Sequence, residues 1–497
     1  MIHRSFCLLF FLHMVLLDVF GQTLLVDSQR DFDRLGIVVD SLVNNLSAEM
    51  VTVRLKEGVY YYDENHILLK SSSLPGVKLT FSGNGSTLIG REAPSVVPGI
   101  GNSYLDRASL SLRNVLTPVK KAGFWPIPVL SRKGVYKLRA RNESDVSEND
   151  AKGMKLVLSQ WFIGAVYDVV KISNGFIYFK YVPYRTRLWS EFRFGRCKPR
   201  YFLFRPADTE ELYPCGASNF LTIEDSVLGC VTLDGIRFLG NRAGEELLRF
   251  HSVKADSVVI RDCVFEGIRS RGILVSGTDR FRLRNSVFKQ GFLNQVFVDK
   301  DSDDAIIESN CFEDNGLMMT NDPVVDCKGS GFSIRSNLFQ NYSYAAIGLG
   351  LHFTDPSGWI TSGVVEENEI RMTETYRKAP MLSLIDGGGI YIWTQNKNVA
   401  IRNNYIHDLS GPHGNRGIFG DDGVINLEVC GNTVLRVDGG YAIDIRRADR
   451  VGRKRGSFVK RTNTGIRVHD NLYSGRVRIH VRKDDPQSYC SNNRKLD

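Results

Sequence analysis

"AIIESNCFEDN" (residues 305–315) and "FSIRSNLFQNY" (332–342) follow one template. Two apolar residues alternate, a polar pair ending in Asn follows, and an apolar residue stands two places after the Asn. Related runs are "VVIRDCVFEG" (258–267), "VAIRNNYIHDL" (399–409) and "IRVHDNLYSG" (466–475). With the last apolar residue as marker, the series is Phe238, Phe265, Phe288, Phe312, Phe339, Ile370, Ile406, Val434 and Tyr473, spaced 23 to 39 residues apart. From Phe312 onward Asn stands two places before each marker: Asn310, Asn337, Asn368, Asn404, Asn432 and Asn471. Asn tolerates the left-handed backbone of a sharp bend, and stacked amides hydrogen-bond along a ladder. The leucine consensus of a leucine-rich repeat is absent, and the spacing is too irregular for propeller blades. The pattern predicts an all-β, right-handed parallel β-helix with one coil per repeat.

Around that solenoid the 497-residue chain divides by texture. Residues 1–21 read as a signal peptide, with Arg4 before an apolar run and a cleavage site near Gly21. The run is too short and interrupted for a membrane span, so the mature chain is expected to be exported, periplasmic or extracellular. Residues 22–99 hold the first coils and an amphipathic helix (28–46), capped by Ser28, that should cover the solenoid's end. Residues 100–215 read as a β-rich insertion with a hairpin turning at Asn174-Gly175, residues 216–480 as the main coils, and 481–497 as a tail. Nine cysteines show no zinc spacing. Cys197 and Cys215 are candidates to pair, whereas Cys263, Cys311 and Cys430 read as small buried apolar residues.

The formal charge of +9 has much of its excess in "RRADRVGRKRGSFVKR" (446–461). Such a run is a solvated loop or an attractor of acidic polymers. For an exported chain nucleic acid is not an expected partner; a polysaccharide or oligosaccharide is, and the chain is expected to be a monomer.

The chemistry concentrates late. Counting from the markers aligns "GIYIWT" (389–394), "GIFGDD" (417–422) and "AIDIRR" (442–447) as stacked strands. Alternation then points Tyr391, Phe419 and Asp444 outward in one column, and Trp393, Asp421 and Arg446 in the next. Aromatic faces stack on sugar rings, Arg holds acidic groups, and two carboxylates serve as acid and as base or nucleophile. Asp421 and Asp444 should lie roughly 8 Å apart by strand spacing and rise. Asp386 before "GGGIYIW" is either a carboxylate on the groove or a turn residue, since Asp438 repeats its Asp-Gly-Gly context. Asp422, before Gly423, has the same ambiguity. His407, Asp408, His413 and Arg416 are polar loop groups expected near this edge, where a histidine is an acid, a substrate donor or a solvated side chain and Arg416 a substrate contact, and Trp359 is a candidate sugar platform. No cofactor is implied. The acidic run "DKDSDD" (299–304) offers calcium-type oxygens but lacks the EF-hand glycine and glutamate, and reads as a solvated loop.

The motifs "DGGGIYIW", "NNYIHDLSG", "RGIFGDDG" and "LEVCGNTV" within 384–435, with "PRYFLFRP" (199–206), resemble the parallel β-helix glycoside hydrolases of family 141 and, more distantly, the family 120 xylosidases. The resemblance implies hydrolysis of complex plant glycans by an acidic pair, Asp386 with either Asp421 or Asp422. A polysaccharide lyase acting on an acidic glycan and a non-catalytic glycan-binding protein are the other classes this fold hosts.

Overall fold

The computed structural model describes residues 15–18, 21–45, 49–72, 76–91, 129–132, 135–139, 155–160, 163–180, 200–204, 217–241, 245–316, 322–350, 362–378, 387–393, 396–411, 415–421, 424–446, 452–454, 457–459, 463–480 and 484–496. Three parallel sheets run along the solenoid, and each coil gives them one strand apiece, in the order A, B, C. Sheet A has 14 strands, the first of which, Val15–Asp18, pairs antiparallel with Gly21–Val26 at the N-terminal edge, sheet B has 12 and sheet C 11. The chain is a right-handed parallel β-helix.

All nine marker residues share one register line on sheet B, from Phe238 through Phe265, Phe288, Phe312, Phe339, Ile370, Ile406 and Val434 to Tyr473. The five phenylalanines form an interior stack, with successive centroids 5.1, 4.4, 4.8 and 4.7 Å apart. Each ring is essentially free of solvent, so each contributes about 1.5–3 kcal/mol of burial.

The asparagines form a second ladder at the corner between sheets A and B. Each Nδ2 donates to the next Oδ1, from Asn310 through Asn337, Asn368, Asn404, Asn432 and Asn471 to Asn493, at 2.8–3.0 Å. Each Oδ1 also accepts the backbone N–H of the preceding ladder residue, as in Asn337 Oδ1 from Asn310 N at 2.9 Å. One expectation is corrected here. The left-handed residue is the one before each Asn: Ser309, Ser336, Glu367, Asn403, Gly431 and Asp470 all have positive φ, and the ladder asparagines do not. The amide faces inward to satisfy buried backbone groups, while its outward neighbour makes the bend.

At the N-terminal end Ser28 caps a short helix, Gln29–Asp33, continued after Arg34 by Leu35–Asn45. Phe32, Leu35, Val39 and Leu42 are buried on one face. Phe32 stacks on His66, 4.5 Å between centroids, so the helix closes the end of the core at the terminal strand of sheet C, Ile67–Lys70. Leu46 lies outside the described residues.

The insertion leaves after the sheet B strand Thr87–Gly90 and returns before the sheet C strand Leu221–Glu224. Its described strands, within 129–204, form a six-stranded antiparallel sheet. Ile163–Ser173 and Phe176–Lys180 make the expected hairpin, with Asn174 and Gly175 both at positive φ, as a two-residue turn of this hand requires.

At the other end Tyr489–Ser491 and Arg494–Leu496 extend sheets A and B, so the coils continue beyond residue 480. The polar Lys495 occupies the marker line there, which hid that strand from the hydrophobic pattern. Cys263 is buried, and burial pushes its thiol up to about 12. Cys311 and Cys430 are half-buried on outward strand positions, a correction to the interior reading. Cys197 and Cys215 lie outside the described residues. No helix among those residues is long and apolar enough to cross a membrane.

Candidate functional site

The outer face of sheet C carries the columns expected from the alignment. One column runs Phe297, Asp326, Gly348, Tyr391, Phe419, Asp444, Arg478. Trp393, Asp421 and Arg446 extend their strands into the next, each donating its backbone N–H to a residue of the preceding coil at 2.8–2.9 Å. Neighbours within a column are one coil apart, ~4.8 Å.

Toward the C-terminal end these side chains form one packed network. Tyr391 lies 5.0 Å from Phe419 and 5.9 Å from Trp393 between centroids, and its hydroxyl donates to Asp421 Oδ2 at 3.3 Å. The Phe419 ring lies between two guanidiniums, Arg416 at 4.1 Å and Arg446 at 4.6 Å, each such contact contributing about 0.5–2 kcal/mol. Arg446 also reaches Asp421 Oδ1 at 3.3 Å. Asp444 accepts from Arg416 Nε at 2.8 Å and from Arg478 Nε and Nη2 at 2.6 Å each. Arg478 and Arg476 both lie over the Tyr441 ring.

Burial sorts the site residues. Phe419 and Asp444 are 0 % exposed, so neither meets a ligand: Phe419 is the floor on which two arginines rest, and Asp444 holds the arginines in place. This corrects their reading as substrate contacts and removes Asp444 as a partner carboxylate for Asp421. Tyr391 is nearly buried, and its hydroxyl orients Asp421. The reachable groups are Trp393, Arg416, Arg446, Arg478, Tyr441 and the edge of Asp421.

His407 is placed elsewhere. It projects from sheet B, with Nδ1 2.6 Å from Asp408 Oδ2, Nε2 3.4 Å from Glu369 Oε1, and its ring on Tyr405. Asp408 is bound by Arg436 and Arg377, and the Arg436 guanidinium holds its carboxyl well below the usual carboxylate range. His407 therefore belongs to a surface ion cluster on another sheet and not to the sheet C edge. Asp386, Asp422, His413 and Trp359 lie outside the described residues.

Sequence reasoning missed Arg478, Arg476 and Tyr441. Arg476 and Arg478 belong to the strand Arg476–Ile479, which pairs with Tyr441–Ile445 across a sequence separation of more than 30 residues, so its column was not counted; Tyr441 begins the preceding strand, ahead of the aligned "AIDIRR". It also missed a trough of about 670 Å³ on sheet A, lined by Asn398, Asn426, Glu428, Arg467, Gln487 and Tyr489. Among the described residues no group of His, Cys, Asp and Glu has a metal-holding arrangement. In the acidic run, Asp303 Oδ1 is occupied by the backbone N–H of Ser330.

The family model for a right-handed beta helix region matches residues 221–406. No curated protein sequence matches the chain. Among solved structures, one described as a glycoside hydrolase aligns with 11 % identity and a TM-score of 0.44, over 94 % of this chain and 92 % of its own. The Gp54 tailspike of Acinetobacter baumannii bacteriophage AP22, in complex with A. baumannii capsular saccharide, aligns with 9 % identity and a TM-score of 0.20, over 83 % of this chain and 74 % of its own.

Proposed function

We propose that the outer face of sheet C binds a polysaccharide or oligosaccharide chain and that the protein is an exported glycoside hydrolase, monomeric and without a cofactor. The observation that carries this reading is the network in which Trp393, Asp421, Arg416 and Arg446 line one solvent-facing edge over a floor made by Tyr391 and Phe419. Repeated coils at ~4.8 Å give a linear polymer successive contacts, an indole offers a sugar platform, and guanidiniums take hydroxyl or carboxylate oxygens. Asp421 receives Tyr391 and Arg446 as donors, an arrangement suited to a carboxylate acting as base or nucleophile. Asp386 and Asp422 are the partner carboxylates that the family resemblance names.

Product analysis of purified protein against a panel of plant and capsular glycans tests this, with Asp421→Asn as the control. Release of sugar by the wild type and loss of about 10²-fold or more in the variant is expected for an acid–base residue. The arginine-rich rim favours one second reading, a lyase acting on an acidic glycan. Its unsaturated product would absorb in the near ultraviolet, and removal of calcium by a chelator would abolish it. A protein that retains glycan on the same face and releases no product of either kind is a binding module.

A further inference from the structure

Three coils before Asp421, the same face carries a second group of charges. Asp326 points outward between Phe297 on one side and Gly348 on the other. A Cβ on Gly348 would lie 2.2 Å from Pro323 Cγ, so the Pro323 ring requires glycine there, and the Asp326 Oδ1 lies at ordinary contact distance, 3.5 Å, from the same point. Lys328 Nζ stands 3.5 Å from Asp326 Oδ2. The Phe297 ring is flanked by two cations, Arg271 at 4.3 Å and Lys328 at 4.7 Å. Asp326 keeps 14 % of its side-chain surface accessible, enough for one oxygen to meet a ligand.

We propose that Asp326 and Asp299 are a hydrolytic carboxylate pair of this face, Asp326 giving a proton to the glycosidic oxygen and Asp299 taking one from water. The assignment rests on the reading that the face hydrolyses glycans; it puts the reacting carboxylates at Asp326 and Asp299 in place of Asp421 and its partners, and leaves Asp421 as the acceptor that holds Tyr391 and Arg446 in the gripping cluster. Asp299 follows the sheet C strand Val296–Val298, one coil before Asp326 and two residues further along. Strand spacing and rise separate the two backbone positions by about 8 Å, and both side chains leave the same face, a placement suited to an acid and a base with a water between them. Asp299 is fixed by the Lys300 backbone N–H at 2.8 Å and Ser276 Oγ at 3.3 Å.

Burial pushes the Asp326 carboxyl up to about 6, against the pull of Lys328 and Arg271 and with Asp322 adding to the rise. Its environment therefore holds a proton where an ordinary aspartate has lost it, as a general acid requires. In the step itself the sugar–oxygen bond breaks as the leaving oxygen takes the Asp326 proton. The water oxygen bonds to the anomeric carbon as Asp299 takes the water's proton. One water is consumed, and proton exchange with solvent restores both carboxyls. The Trp393–Arg446 cluster then grips the same chain about three coils, or ~14 Å, away.

The test compares Asp326→Asn, Asp299→Asn and Asp421→Asn on p-nitrophenyl and 2,4-dinitrophenyl glycosides and on the glycan panel. An acid's loss should lower kcat about 10²-fold or more on glycans, while dinitrophenyl glycosides, whose leaving group needs no proton, are spared. The limb of the pH profile near 6 should vanish in Asp326→Asn. Asp326→Asn at wild-type rates with Asp421→Asn inactive overturns this assignment alone. A wild type inert on both panels overturns the hydrolase reading and this one together. Should Asp326→Asn fail to fold, carboxyl titration of the wild type by ¹³C NMR decides, since a value below about 4.5 places Asp326 among ordinary aspartates and overturns the proposal.

Discussion

Asp326 and Asp444 occupy the same column of sheet C, four coils apart, and their surroundings differ in kind. Asp444 has no exposed surface and is bound by guanidiniums of Arg416 and Arg478, with Arg446 at 3.8 Å. Asp326 has one lysine at 3.5 Å and a carboxyl raised to about 6 by burial. One carboxylate is held by two guanidiniums with a third close by. The other is desolvated beyond what its partner returns, so its ionisation works against the fold. The alternating pattern puts both on the outer face; only the neighbouring coils decide which kind each is.

Removing Asp444 should give the largest effect. Asp444→Ala leaves Arg416 and Arg478 facing each other without an anion, and breaking such a buried pair costs about 3–5 kcal/mol. Denaturant unfolding at neutral pH measures it. A loss under about 1 kcal/mol would mean that the arginines already find water or one another, and the contrast with Asp326 would weaken. The interior supplies a matching scale. Phe288→Ala removes the middle ring of the phenylalanine stack, 4.4 and 4.8 Å from its neighbours, and should also cost about 3–5 kcal/mol.

Asp326→Asn should act with the opposite sign. Its folded pKa lies above the unfolded value, so the stability tied to its proton is complete below about 3.9 and is lost as pH rises through about 6. The amide cannot ionise and escapes that loss. Above pH 7 the variant should be more stable than the wild type by about 2–3 kcal/mol, and at pH 4 the two should coincide. Melting temperatures across pH 4–8 test this. Equal curves at pH 8 would show that the partners of Asp326 compensate its charge, and the two ends of the face would no longer differ.

The ladder runs through the coils at both ends of this comparison, which makes it a control. Asn404→Ala deletes the amide that receives Asn368 and donates to Asn432, leaving buried backbone groups unsatisfied, at about 1–3 kcal/mol. The loss should be independent of pH between 4 and 8.

Legibility followed the source of each constraint. The marker line and the ladder were readable because their causes are local and recur: an apolar residue every coil, and an Asn two places earlier. The columns through Tyr391, Phe419 and Asp444 were readable by counting alternate residues from glycine-led strands. What was not readable was compensation between coils. Arg478 reaches Asp444 across a 34-residue separation, one coil lengthened by the basic run before "IRVHDNLYSG", so nothing local marked Asp444 as buried and triply paired. His407 fell on sheet B because the loop after Leu409 was counted as part of the groove edge, although the register pairs His407 with Arg371 and Leu435.

The smallest effect separates the sheet B cluster from sheet C. Arg436 bonds Asp408 at 2.6 and 2.7 Å, and this contact is the main reason that its carboxyl sits below the ordinary range. The stability it adds is complete above about 3.9 and disappears as pH falls through the lowered folded value. Arg436 is half exposed, so the screened contribution is about 0.5–1 kcal/mol. Arg436→Ala should therefore lower stability by about that amount at pH 7 and by progressively less as the solution is acidified, the reverse of the Asp326→Asn profile. Glycan turnover should be unchanged, because the cluster projects from a different sheet. A loss of turnover in Arg436→Ala would show that sheet B contributes to the same site and that His407 belongs with the groove after all.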